Sequence, residues 1–228
     1  MDAKYILYTK PKIDTAGIIA HYKLDHSAFD YSLNGNDGTL AGTDIAPAYP
    51  GYSFNGTDDH IVIPDNTDLD VTNKFSVFAW VKSDSVGTSD GIVTKYLATG
   101  ELREWSLILG TVVGTDAPLS VTLGNDGGTG VTTETSDDLV ISNGKWVHVG
   151  FRFLNGAVWL YVNGVKVDSN DETHISTLNP ENVNLEIGRF NGNTYFDGTI
   201  DDVMIFNTNK SAEDIKSIYE ITRGRYSV

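Results

Sequence analysis

Three pairs of adjacent aspartates, Asp58-Asp59, Asp137-Asp138 and Asp201-Asp202, are the first residues whose chemistry needs testing. Glycosidases hold two carboxylates at a defined separation across one glycosidic bond. Neighbours on a strand point to opposite faces, so none of these pairs is expected to flank a single bond. No HExxH, no Walker A loop and no strict GxSxG elbow occurs, and Gly51-Tyr52-Ser53-Phe54-Asn55 lacks the second glycine. The stretch from Gly124 to Gly130 is glycine-rich but lacks the lysine and the following helix that phosphate binding needs. It reads as a loop between strands or as a ligand loop. His60 and His148 read as surface or packing residues. With no cysteine in the chain, disulfides, thiolate zinc sites and cysteine nucleophiles are excluded.

The oxygen-rich run Asp30-Tyr31-Ser32-Leu33-Asn34-Gly35-Asn36-Asp37-Gly38 is more informative. Calcium takes about six to eight oxygens at about 2.3–2.6 Å, from carboxylates, amides and carbonyls. The run resembles the first half of an EF-hand loop, but Ala41 stands at the twelfth position and no helices flank it. Two readings stay open: an Asx-turn loop, or a calcium loop completed by a distant carboxylate.

Strands must position all of these groups. Phe75 to Lys82 is a strand by composition. Trp146 to Phe153 alternates, with Val147, Val149, Phe151 and Phe153 on one face and His148, Gly150 and Arg152 on the other. Asn155-Gly156 and Asn163-Gly164 suit type I′ turns, so a three-stranded antiparallel meander is expected. Further strands are expected at Ile18–Leu24, His60–Ile63, Ile92–Leu97, Trp105–Leu109, Leu119–Leu123, Asn184–Gly188 and Thr199–Phe206. One short helix comes last, capped by Ser211 with Asp214 three residues on. The fold class is therefore all-β, a two-sheet antiparallel sandwich with one short C-terminal helix. No linker divides residues 17–220.

Lys and Arg number 16 and Asp and Glu 31, giving a net charge of −15. Such a chain repels phosphate backbones, so no nucleic acid partner is expected. No apolar run approaches the ~20 residues of a membrane span. No signal peptide is seen at the start, which fits a mature chain, a cytosolically made one or one whose leader has been removed. Residues 1–16 carry Lys4, Lys10 and Lys12 against Asp2 and Asp14, unlike the acidic remainder. They read as an extra edge strand or as an arm that docks on another structural protein.

Several segments in order resemble the laminin-G-like domains of the concanavalin A-like lectin/glucanase superfamily. They are Leu24-Asp25 with Asp30 to Leu40, Phe54-Asn55-Gly56 with Asp59 to Pro64, and Phe75 to Val81. Lys145 to Val149, Leu160 to Gly164, Phe196 to Asn207 and Ser211 to Ile215 complete the set. The resemblance covers residues 17–220, leaving residues 1–16 as the arm and 221–228 as a tail. It implies a jelly-roll sandwich with a structural calcium. Asp30, Asn36, the carbonyl of Gly56 and Asp201 match the ligand positions, with Asp25 and Asp202 in reserve. The acidic signature of the family's glucanases is missing, so the chain is expected to bind and not to catalyse. The implied partner is a carbohydrate or glycosylated surface, met on the concave sheet and its rim loops. The matching candidates are Tyr96, Arg103, Trp105, Asn125, Asp126, Asn193 and Tyr195, whereas Trp80, Trp146 and Trp159 are expected in the core. The expected setting is extracellular or a virion surface; a small chain with no leader seen, one lectin-like domain and an extra arm suits a bacteriophage decoration or fibre component. The alternatives are a structural protein of a larger assembly and a glycan hydrolase or lyase.

Overall fold

Both Asn-Gly dipeptides turn the chain with positive φ at each central residue, 48° and 97° at Asn155-Gly156 and 50° and 75° at Asn163-Gly164. That is the twist a two-residue antiparallel hairpin requires, and the expected meander forms. The structure is a computed structural model that describes residues 12–124, 131–168 and 175–226.

In chain order the strands begin with β1 Ile18–Tyr22, β2 Thr39–Ala41, β3 Ala46–Pro47, β4 Tyr52–Asn55, β5 His60–Ile63 and β6 Lys74–Ser83. They continue with β7 Gly91–Leu97, β8 Leu102–Leu109, β9 Asp116–Ala117, β10 Leu119–Gly124, β11 Val131–Thr135 and β12 Ile141–Ser142. The last are β13 Trp146–Leu154, β14 Ala157–Val162, β15 Val165–Lys166, β16 Leu185–Ile187, β17 Arg189–Phe190, β18 Thr194–Tyr195 and β19 Asp197–Phe206. One sheet of eight strands runs β15-β14-β13-β6-β19-β4-β3, with β1 also on β19. The facing sheet of seven runs β11-β10-β8-β7-β16-β5-β2. β9 pairs with β12, and β17 with β18. The two large antiparallel sheets form the expected all-β sandwich. β1 stops at Tyr22, short of the expected Leu24, because Leu24 turns out of the strand with φ 48°.

Alternation decides what lies between the sheets. Phe75, Phe151, Phe153 and Trp105 meet there, with ring centroids 5.2–6.1 Å apart in tilted or edge contacts. Trp105 is 1% exposed. Its expected place in a sugar site is corrected: it shares a face with Leu107 and Leu109, both core residues. Trp159 is corrected the other way. It was expected in the core but is half-buried on the outer face of the eight-stranded sheet, since Val158, Leu160 and Val162 take the inward positions.

That outer face carries helix α1, Ala212–Thr222. The expected cap is present: Ser211 Oγ accepts from Asp214 N at 3.1 Å, and Ser211 N donates to Asp214 Oδ2 at 3.1 Å. Ile215 and Ile218 pack on Phe78, Tyr161, Met204 and Phe206 as a second, smaller core. Ile13 joins it, and Lys210 Nζ donates to Asp14 Oδ2 at 3.1 Å. Residues 1–11 of the expected arm lie outside the described residues. The tail folds back onto the same face, with Tyr226 3% exposed and stacked 4.0 Å from Trp80. Among the described residues no helix is long and apolar enough to cross a membrane.

Candidate functional site

The outer face of the seven-stranded sheet is a row of short hydroxyls. Strand register sets Thr133, Thr122, Ser106, Thr94 and Glu186 side by side across β11, β10, β8, β7 and β16. Their alternates Leu107, Val121, Leu123 and Ile187 point into the core. Ser120 and Thr135 share a hydrogen bond of 2.8 Å, and Thr122 and Thr133 one of 3.4 Å.

The β17–β18 hairpin lies across this face above β7. Thr94 Oγ1 donates to the Arg189 carbonyl at 2.8 Å. A Cβ at Gly91 would fall 2.2 Å from the Arg189 carbonyl carbon, so only glycine lets the hairpin sit so close. The hairpin divides the face into two grooves. One, of about 430 Å³, runs over Ser120, Thr122, Thr133 and Thr135 to Phe190. The other, of about 390 Å³, is lined by Asn182, Asn184, Glu186, Arg189 and Leu97. Tyr96 lines both and packs 5.0 Å from Phe190. Among the described lining residues Glu186 is the only carboxylate. Arg189 holds it through Nε to Oε2 at 2.7 Å and through a second contact from Nη2. Both oxygens of this carboxylate are thus engaged by one guanidinium.

Of the residues expected to touch a ligand, the structure brings Tyr96, Tyr195 and Asn193 to this face. Tyr195 meets His60 edge-on at 5.8 Å, and Asn193 is exposed at the hairpin turn. Arg103 is half-buried on β8, donating to the Ala98 carbonyl at 3.4 Å. Trp105 points away, into the core. Asn125 and Asp126 lie outside the described residues. Sequence reasoning missed Phe190, Glu186, Arg189 and the hydroxyl row. The signal for the row was the alternation Ser120-x-Thr122 and Thr133-x-Thr135.

The four residues expected to hold calcium do not converge. Asp30 caps its own loop: its carboxylate accepts from the nitrogens of His21, Ser32 and Asn36 and from Ser32 Oγ, at 2.8–3.1 Å. A carboxylate ringed by four donors has no lone pair left for a cation. Asn36 Oδ1 accepts from Asn66 at 3.0 Å, and its carbonyl accepts from Tyr22 at 2.8 Å. Gly56 lies beside Asp197, four residues or roughly 13 Å along the strand from Asp201. Asp201 accepts from the Tyr226 hydroxyl at 2.8 Å and lies 3.2 Å from Arg225, which also pairs with Asp25. Burial pushes the Asp201 carboxyl up to about 7 against the pull of Tyr226 and Arg225. Asp202, where the register slips and φ is 48°, takes His21 Nε2 at 2.7 Å. The bulge breaks strict alternation, so both aspartates act on one cluster around Tyr226. Among the described residues, no three His, Cys, Asp or Glu side chains gather where they could hold a metal. The donors of this set do not fit calcium; the cation at Asp201 is a guanidinium.

A laminin-G-like family model, described as the concanavalin A-like lectin/glucanases superfamily, matches residues 55–216. No curated protein matches. Among solved structures, domain 4 of an extracellular arabinanase from Geobacillus stearothermophilus, in complex with arabinotriose, is 22% identical with a TM-score of 0.70. The match covers 89% of this chain and 98% of that one. The binding domain of paraclostridial mosquitocidal protein 1 is 14% identical with a TM-score of 0.68, over 90% of this chain and 52% of that one. The binding domain of botulinum neurotoxin serotype G is 16% identical with a TM-score of 0.70, over 90% and 51%. The chain thus spans about half the length of these toxin binding domains, and at such identities the likeness is one of fold.

Proposed function

We propose that this chain, which belongs to the concanavalin A-like lectin/glucanase superfamily, is a non-catalytic carbohydrate-binding domain that holds its glycan on the outer face of the seven-stranded sheet. The observation that carries this is Tyr96 standing between two grooves on a face of alternating hydroxyls. Serine and threonine hydroxyls both donate and accept, as sugar hydroxyls do. Tyr96, Phe190 and Tyr195 supply the apolar area on which a sugar ring rests. The arabinotriose-bound arabinanase domain supports the same class of ligand. Binding without turnover is part of this reading, supported by Glu186 being the only carboxylate among the described lining residues and being held by Arg189. The proposal includes no calcium, because four donors fill the Asp30 carboxylate, Gly56 lies beside Asp197 and not Asp201, and Arg225 stands at Asp201, where only Oδ1 is left without a partner. The setting we propose is extracellular, supported by that arabinanase; a place on a bacteriophage virion rests only on the expected arm.

The test is calorimetric titration with neutral oligosaccharides, arabinotriose among them, after a glycan array. Tyr96→Ala is expected to weaken binding of any array hit about tenfold or more, which is about 1.4 kcal/mol, with no reducing ends released by the wild type. An array without hits, or a Tyr96→Ala protein that binds like wild type, would overturn the assignment.

A further inference from the structure

The opposite sheet carries a third groove, separate from the two on the glycan-binding face. It lies on the outer side of the eight-stranded sheet, beside helix α1, with a volume of about 540 Å³. That is within the roughly 300–1,000 Å³ of small-ligand clefts. Register pairs Arg152 on β13 with Trp159 on β14, and both point outward. The Arg152 guanidinium sits 4.1 Å from the centre of the Trp159 ring and 6.0 Å from that of Tyr161. Stacking holds the plane of the guanidinium but satisfies none of its donors. Arg152 Nε is buried with no hydrogen-bond partner, and buried donors are seldom left so.

The opposite wall comes from the helix. Gly164, with φ 75°, lets α1 approach: a Cβ there would lie 3.2 Å from Lys216 Cα. Lys216 is exposed on that wall. Lys166 lines the floor, 3.5 Å from the buried Asp168. Glu213 is the only acid among the described lining residues. In a chain of net charge −15, this is a local excess of cation around an accessible aromatic ring. Such a place selects an anion that also has an apolar face.

We propose that this groove is a binding site for anionic saccharides, carrying a carboxylate-bearing sugar ring against Trp159 with its anion on Arg152 and Lys216. A stacked, pre-oriented guanidinium suits the planar carboxylate of a uronic acid, which it meets with two parallel hydrogen bonds. The site is independent of the face that holds Tyr96, being on the other sheet.

The experiment titrates the full chain with oligogalacturonate and follows tryptophan fluorescence and heat. Wild type is expected to bind with a fluorescence change that Trp159→Phe removes. Arg152→Gln and Lys216→Glu are each expected to bind at least about tenfold more weakly, and Tyr96→Ala as well as wild type does. Lys216 is exposed, so its variant keeps the fold even where Arg152→Gln loses stability; melting curves check both. Lys145→Glu, at an exposed cation outside the groove, makes the same two-unit charge change and controls for charge alone. The proposal falls if wild type does not bind, if Lys145→Glu loses as much as Lys216→Glu, or if only Tyr96→Ala weakens the titration.

Discussion

His148 is a titratable group kept from water by its neighbours. Its ring stacks on Phe78 at 5.8 Å and tilts against Trp80 and Tyr219 at 5.3 and 6.1 Å. Burial lowers it to about 4, against a smaller upward pull from Asp202. The native imidazole therefore stays neutral while the unfolded one takes a proton near pH 6.5. Stability present above pH 6.5 is lost as pH falls towards 4, by about 3 kcal/mol for a shift of this size. Asp201 acts in the opposite sense. Its native carboxyl is raised to about 7, so its contribution grows as pH falls from 7 towards 4. The two partly cancel in the whole protein, and a variant separates them. His148→Phe keeps the packing against Phe78 and removes the proton. Melting temperatures of the two proteins should diverge steadily from pH 6.5 to 4, with the variant the more acid-resistant. Parallel curves would mean that His148 titrates normally. The sequence put His148 on the polar face of its strand, correctly, but that face is covered by α1 and Tyr226, whose docking no local pattern records. Trp105 and Trp159 were legible and were misread: their positions in the alternation of β8 and β14 already sent one inward and the other outward.

Among the elements, the β17–β18 hairpin does most to shape the candidate site. It has only two residues in each strand, too short for alternation to register, and so it was absent from the sequence reading. The meander was legible because Asn-Gly fixes its turns and long runs fix its faces. What makes the hairpin's position possible is a missing side chain at Gly91. Gly91→Val would drive the added atoms into the Arg189–Phe190 backbone, which has no slack. Overpacking of this kind costs about 1–3 kcal/mol, or roughly 2–12 °C in melting temperature for a domain of this size. It should also lift Phe190 from Tyr96 and weaken neutral-glycan binding. Gly91→Val with unchanged melting and unchanged binding would show that the hairpin does not rest on β7. The buried Lys95 gives a second case of an element set by distant partners. Asp65 and Asp70 in the β5–β6 connection and Glu104 on the neighbouring strand surround its ammonium, with Asp65 at 2.9 Å and Asp70 at 3.2 Å. A lysine inside a strand pattern reads as exposed, and only the assembled sandwich brings the three carboxylates to it.

At the scale of the whole molecule the question is what closes the chain on itself. Asp25 and Arg225 are 200 residues apart in sequence, and their pairing ties the loop after the first strand to the tail. Arg225 also reaches Asp201 on β19 and lies 5.5 Å from the Tyr49 ring. Family resemblance pointed to Asp201 as a calcium ligand, whereas the cation beside it in the structure is Arg225; the tail lies outside the family pattern, so its fold-back could not be read. The guanidinium does here what a divalent ion would do: it offsets carboxylate charge where first and last strands meet. At −15 the chain repels itself, so added salt should raise its melting temperature by screening. Calcium should do no more than sodium chloride of equal ionic strength, and a chelator should change nothing. A bound calcium at a hundredfold excess over Kd would add about 2.7 kcal/mol, and a shift of roughly 5–10 °C on that scale is easily seen. Arg225→Ala should lower melting, because it leaves Asp201 buried with its attraction gone. The guanidinium is a quarter exposed, which trims the loss to about 2 kcal/mol. Melting of the wild type raised several degrees by calcium beyond the matched salt would defeat this account, since the folded chain would then bind a calcium that Arg225 was argued to replace.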